Sequence, residues 1–133
     1  MDPVLYTQFL EACKDGDLEG VRHSLSGGAN PNWQDVIDGY TGLHFAIGSG
    51  QEPSVRALLD RGADIEHNQN VGNITPLGTA VLSGHIGIVQ LLLDEGADPT
   101  ARIYSDDRSI SDVAEEEGSA EIASLLRRAA NKK

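Results

Sequence analysis

The chain has 133 residues, 39% of them hydrophobic, and a formal net charge of −11 from 21 acidic and 10 basic side chains. That length buries one core of ordinary domain size, and the acidic balance excludes nucleic acid and anionic membrane as expected partners, because phosphate backbones are held by Lys and Arg. A lone cysteine, Cys13, excludes an internal disulfide and a cysteine-rich zinc site, and points to a reducing compartment, cytoplasmic or nuclear.

Asp2 followed by Pro3 offers a capping carboxylate and then a proline at the first helical position, where its missing N–H costs nothing. A helix is predicted from there to about Lys14. Phe9, Ala12, Gly16, Val21, Leu25, Gly28 and Ala29 set the register of a first unit. Gln8, Glu11, Lys14, Asp15 and Glu19 supply the polar outer face that a terminal unit turns to water.

A step of about 34 residues carries this register to Thr41, Leu43, Ala46, Gly50, Val55, Leu59, Gly62, Ala63 and Asp64. In this second unit Gly42 follows the capping threonine, which predicts a slightly weaker first helix, and Glu52-Pro53 opens the second helix with a tolerated proline.

The third unit, from Asn73 to Asp98, is the clearest copy. Thr75-Pro76 starts a helix, Leu77, Ala80 and Val81 form one apolar stripe, and Gly84 ends it. Ile88, Val89, Leu92 and Leu93 repeat the stripe before Gly96. Each helix spans about two turns, well under the ~12–15 residues at which an isolated helix becomes marginal, so stability must come from stacking neighbouring units.

A fourth unit begins near Asp107 and holds the register at Ser109, Ala114, Gly118 and Ala123. It is degraded: Ser111 stands where the third unit has Leu77, and Glu115, Glu116 and Glu117 close its first helix. The final Ala129-Ala130-Asn131-Lys132-Lys133 carries no stripe and is expected to fray. The expectation is one domain over 1–133, with repeats at about 2–34, 35–68, 69–102 and 103–130, the first and last acting as caps.

At TGLHFA, TPLGTAVLSGH and the GAN or GAD turns the chain resembles the ankyrin repeats, whose pattern runs G-x-T-P-L-H-x-A-x-x-x-G-H, a second apolar helix, then G-A-D. The resemblance covers almost the whole chain and is specific because several copies keep one register. It implies an all-α solenoid of stacked antiparallel helix pairs with hairpin-like connectors. Departures are the slightly longer spacing, which predicts an extra residue near each connector tip, and the usual histidine, kept as His44 but replaced by Gly78. The usual glycine two positions before the capping residue is Gly39, then Asn73, then Asp107, and Asn and Asp tolerate the left-handed backbone required there.

Nothing in the residues suggests chemistry, so no catalytic, cofactor-binding or metal-binding residue is expected. His44 and His85 sit at family positions that are mostly structural, while His23 and His67 have no i, i+4 histidine partner. Cys13 shares the position of Ile47 and Val81 and reads as a small core hydrophobe. Glu115 to Glu117 point in different directions from a helix and read as a solvated face. No leader follows Met1, no apolar run approaches the ~18 residues of a membrane span, and no further domain accompanies the repeats, which predicts a soluble, monomeric, non-enzymatic protein.

The resemblance implies a module that binds a protein partner through its concave face and connector tips. An alternative is a dedicated inhibitor or regulatory subunit docking on one enzyme, such as a kinase. Carried over by position, the contact residues before the capping residue are Tyr40, Ile74 and Arg108. Those before the helix-ending glycine are Ser49, Leu82, Ser83, Glu116 and Glu117, and those at the connector tips include Trp33, Val36, Ile37, Val71, Ile103 and Tyr104. The large apolar members would line the middle of the face, with Asp38 in an acidic rim, which favours a partner segment both basic and apolar. The structural alternative is that Trp33 and Tyr40 cover each other or the base of their hairpin.

Overall fold

A computed structural model describes residues 2–132. The chain divides into two compact units, Met1–Asp64 and Ile65–Lys133.

Unit 1 holds α1 (Pro3–Asp15), α2 (Leu18–Ser26), α3 (Gly42–Gly48) and α4 (Glu52–Asp60). The Asp2 carboxylate accepts from the Val4 and Leu5 amides, and Gly16 (φ 69°) ends α1 in the left-handed region, as its sequence requires. Asp17 caps α2 by accepting from Gly20. Thr41 and His44 form a reciprocal capping box at α3, in which the Thr41 backbone donates to the imidazole and the Thr41 side chain accepts from the His44 amide. Phe9, Cys13, Val21, Leu43, Ile47, Val55 and Leu58 are each 0% exposed and form the core.

Gly42 has a packing reason beyond helix propensity. A Cβ there would lie 2.7 Å from Cys13 Sγ and 3.0 Å from two atoms of the Phe9 ring, so α1 and α3 approach as closely as they do because the side chain is missing. Ser54 has no such compensation. It is fully buried and its hydroxyl has no hydrogen-bond partner, although Ile88, one repeat later, fills the matching position with hydrocarbon. Ser54→Ala is therefore expected to raise stability by about 1 kcal/mol, read as a higher urea midpoint at unchanged slope; a lower midpoint would mean that the hydroxyl is satisfied in solution.

Unit 2 holds α5 (Pro76–Ser83), α6 (Ile86–Asp94), the two-residue strands β1 (Arg102–Ile103) and β2 (Arg108–Ser109), α7 (Ile110–Glu116) and α8 (Ala120–Ala130). Thr75 caps α5 by accepting from Gly78, and Gly84 (φ 71°) ends it. β1 and β2 pair antiparallel, Arg102 opposite Ser109 and Ile103 opposite Arg108. Gly39, Asn73 and Asp107 share the left-handed backbone expected of them, at φ 81°, 52° and 60°.

One device recurs in both units. The Asn32 side chain accepts from the Asp64 amide (2.7 Å) and donates to the Gly62 carbonyl, tying a connector to the turn after α4. The Glu66 carboxylate accepts from the Asp98 amide (2.8 Å) at the same repeat positions of unit 2.

Two expectations are corrected. α8 continues through Ala130, so the alanines expected to fray are helical; Arg127 bonds Glu115 and Asp112 on α7 and anchors that last stretch, and Lys133 lies outside the described residues. Ile103, placed at a connector tip by its sequence position, is 0% exposed. Its methyl would lie 3.1 Å from a Cβ at Gly78, so the glycine that replaces the family's histidine opens the space that Ile103 fills.

Candidate interaction surface

The connector between α2 and α3 is a pinned hairpin. Gln34 and Thr41 form an antiparallel bridge, the Asp35 amide donates to the Tyr40 carbonyl (2.8 Å), and the Tyr6 hydroxyl donates to the Gln34 carbonyl (2.8 Å). At the turn the Asp35 carboxylate accepts from the Ile37 amide (2.8 Å) and Asp38 accepts from the Tyr40 amide. The Ile37 amide, with the Lys14 ammonium 3.6 Å from the carboxylate, holds Asp35 below the ordinary aspartate value. Lys14 also lies 4.9 Å from the centre of the Phe45 ring. The turn thus presents Val36 and Ile37, 83% and 89% exposed, at its tip.

Trp33 and Tyr40 are only half-exposed. Trp33 packs edge-on against Tyr6 (5.9 Å) and Phe9 (6.2 Å) of α1, and Tyr40 packs on His44 (5.4 Å) and Phe45 (6.4 Å) of α3. These rings hold the hairpin to its helices, a structural use close to the alternative reading of the sequence. Ser49 caps the end of α3, its hydroxyl donating to the Ala46 carbonyl.

In unit 2, Val71 is 66% exposed on its connector, Ser83 and Glu117 are exposed, and Leu82 and Tyr104 are half-buried. The Tyr104 amide donates to the Gly72 carbonyl (2.6 Å), which ties two connectors together. Ile74 is a correction: at 8% exposure it belongs to the core, its backbone held at both polar atoms by the Asn70 side chain (2.8 Å each). Arg108 and Glu116 are ion-paired with each other, so neither presents a lone charge.

Sequence reasoning passed over Asp35 and Lys14 as positioning residues. The signal for the first was present, since Asp two residues before an apolar tip is a common turn former; that for Lys14 was not, because its partners are distant in sequence. Among the described residues no group of three or more His, Cys, Asp or Glu side chains could hold a metal ion. Burial pushes the Cys13 thiol up to about 12, so at neutral pH it is a protonated core side chain rather than a nucleophile.

No curated protein matches the chain. A family model described as ankyrin repeats (3 copies) matches residues 9–103. With helix pairs, capping threonines and left-handed glycines recurring in one register across that span, the chain belongs to the ankyrin-repeat family.

Proposed function

We propose that this protein is a non-catalytic interaction module that grips a protein partner with its connector tips, led by Val36 and Ile37. Ankyrin repeats are generally protein–protein interaction modules. The observation that carries the reading is the pinned α2–α3 turn, whose two large apolar side chains have almost all their surface in water. A flexible loop would lose conformational freedom on binding, whereas this one is already ordered by its own hydrogen bonds, so little ordering cost opposes association. Asp38 borders the tip, which suits a partner pocket that is apolar at its centre and carries a cation at its rim. Val71 and Tyr104 are the corresponding contacts of unit 2 in this reading.

The test compares wild type with Val36→Ser/Ile37→Ser in cross-linking pull-downs, followed by titration of any protein captured only by the wild type. Both positions are surface tips, so the melting curve should not move, while affinity should fall at least about tenfold. Equal capture by the two forms would refute the assignment of the tip.

A further inference from the structure

A second surface lies on α2 and α4 of unit 1, which line an open cleft of about 690 Å³. Clefts of this size fall in the range that accommodates a ligand group. Leu25, Pro53 and Ala57 give it an apolar lining, and Arg22, Arg56 and Arg61 line it as well.

The placement of these cations is selective in a chain of net charge −11. Lys14, Arg22, Arg108 and Arg127 are ion-paired to carboxylates within the chain. Among the described residues Arg56 makes no ion pair, and Arg61 makes only a 3.4 Å bond to the Ser26 hydroxyl, also in the cleft. Elsewhere among the described residues the unneutralised cations are Arg102, which donates to the Asp107 carbonyl, and Arg128 and Lys132, which line a cleft of unit 2 between α6 and α8.

Guanidinium groups match oxyanions with paired N–H donors, whether the oxyanion is a carboxylate or a phosphoryl group. The net negative charge of the chain repels an extended polyanion, and Glu52 and Asp60, one turn to either side of Arg56, set a limit on negative charge in the cleft itself. Those two carboxylates are also acceptors suited to peptide N–H donors. We propose that the α2–α4 cleft docks a short acidic motif of a protein partner, one oxyanion side chain on Arg56 and Arg61 beside one apolar side chain on Leu25 and Ala57. This surface is separate from the Val36–Ile37 tip, and neither depends on the other.

The experiment follows amide and arginine Nε resonances of the full chain during titration with four probes. These are a capped Ala-Glu-Leu-Ala peptide, the same peptide with phosphoserine for glutamate, the same with glutamine, and inorganic phosphate. At least one anionic peptide should shift Ser26, Arg56, Ala57 and Arg61 saturably and more tightly than inorganic phosphate does, and the glutamine peptide should shift nothing. Which anionic peptide binds tighter identifies the oxyanion. Arg56→Gln/Arg61→Gln should weaken binding about tenfold or more, and Ala57→Glu, which places a negative charge in the cleft by a different route, should do the same. The proposal is overturned if neither anionic peptide shifts these residues, if Arg128 and Lys132 respond as strongly, if inorganic phosphate binds as tightly as the peptides, or if the variants bind like wild type.

Discussion

Leu92→Ala should lower the stability of the protein by roughly 2–5 kcal/mol, the range for truncating a buried leucine, and its melting temperature by on the order of 10 °C. Leu92 lies on α6 with no exposed surface, and α6 packs against both α5 and α8 within unit 2. A helix of nine residues has little stability of its own. Its hydrogen bonds persist only while its apolar face is covered, so the cavity left by the truncation weakens the packing that α5, α6 and α8 share. Leu93, the next residue, is only half-buried and serves as the control. Calorimetry on Leu92→Ala and Leu93→Ala should show a clearly larger loss for the first; equal losses would mean that the buried stripe of α6 is wrongly placed.

The helices were legible in the sequence because their determinants are local. Thr75-Pro76, Asp2-Pro3 and the glycines at 16, 50, 84 and 118 each specify a backbone conformation within a few residues of themselves, and each stands at a helix boundary. Asn73 and Asp107 could be read as glycine substitutes for the same reason.

The connectors were less legible because they have no period to show which side chain turns inward. Ile103 and Ile74 look like contact residues by position, yet both are core, and what buries Ile103 is a gap at Gly78 that no local pattern reveals. Val36 and Ile37 have the same composition and are almost fully exposed, since Asp35 and Asp38 fold the turn away from the helices. Trp33 reads as a contact residue because large aromatics on loops often are; the rings it packs against, Tyr6 and Phe9, belong to a helix more than twenty residues earlier. The pairing of Arg108 with Glu116 is of the same kind: two charges that look independent along the chain neutralise each other in space.

Gly42→Ala should destabilise the protein by about 1–3 kcal/mol, against the sign that helix propensity gives. Replacing a helical glycine by alanine ordinarily gains about 1 kcal/mol, provided that the backbone suits an L-residue. Gly42 meets that condition, since it is absent from the glycines with positive φ. Space decides the outcome. The new methyl would meet Cys13 Sγ at 2.7 Å and the Phe9 ring at 3.0 Å, and both partners are fully buried, so neither can swing into solvent. α3 must then move away from α1, loosening the contact on which the Trp33 ring and the hairpin carrying Val36 and Ile37 rest. Cys13→Ala removes the closest atom and should cost stability alone, yet recover part of the loss when combined with Gly42→Ala. The four proteins form a double-mutant cycle read by urea denaturation, with an expected favourable coupling on the order of 1 kcal/mol. A Gly42→Ala protein more stable than wild type, or strictly additive effects, would show that α1 and α3 leave room for the methyl and that this glycine reflects nothing more than a weak helix start.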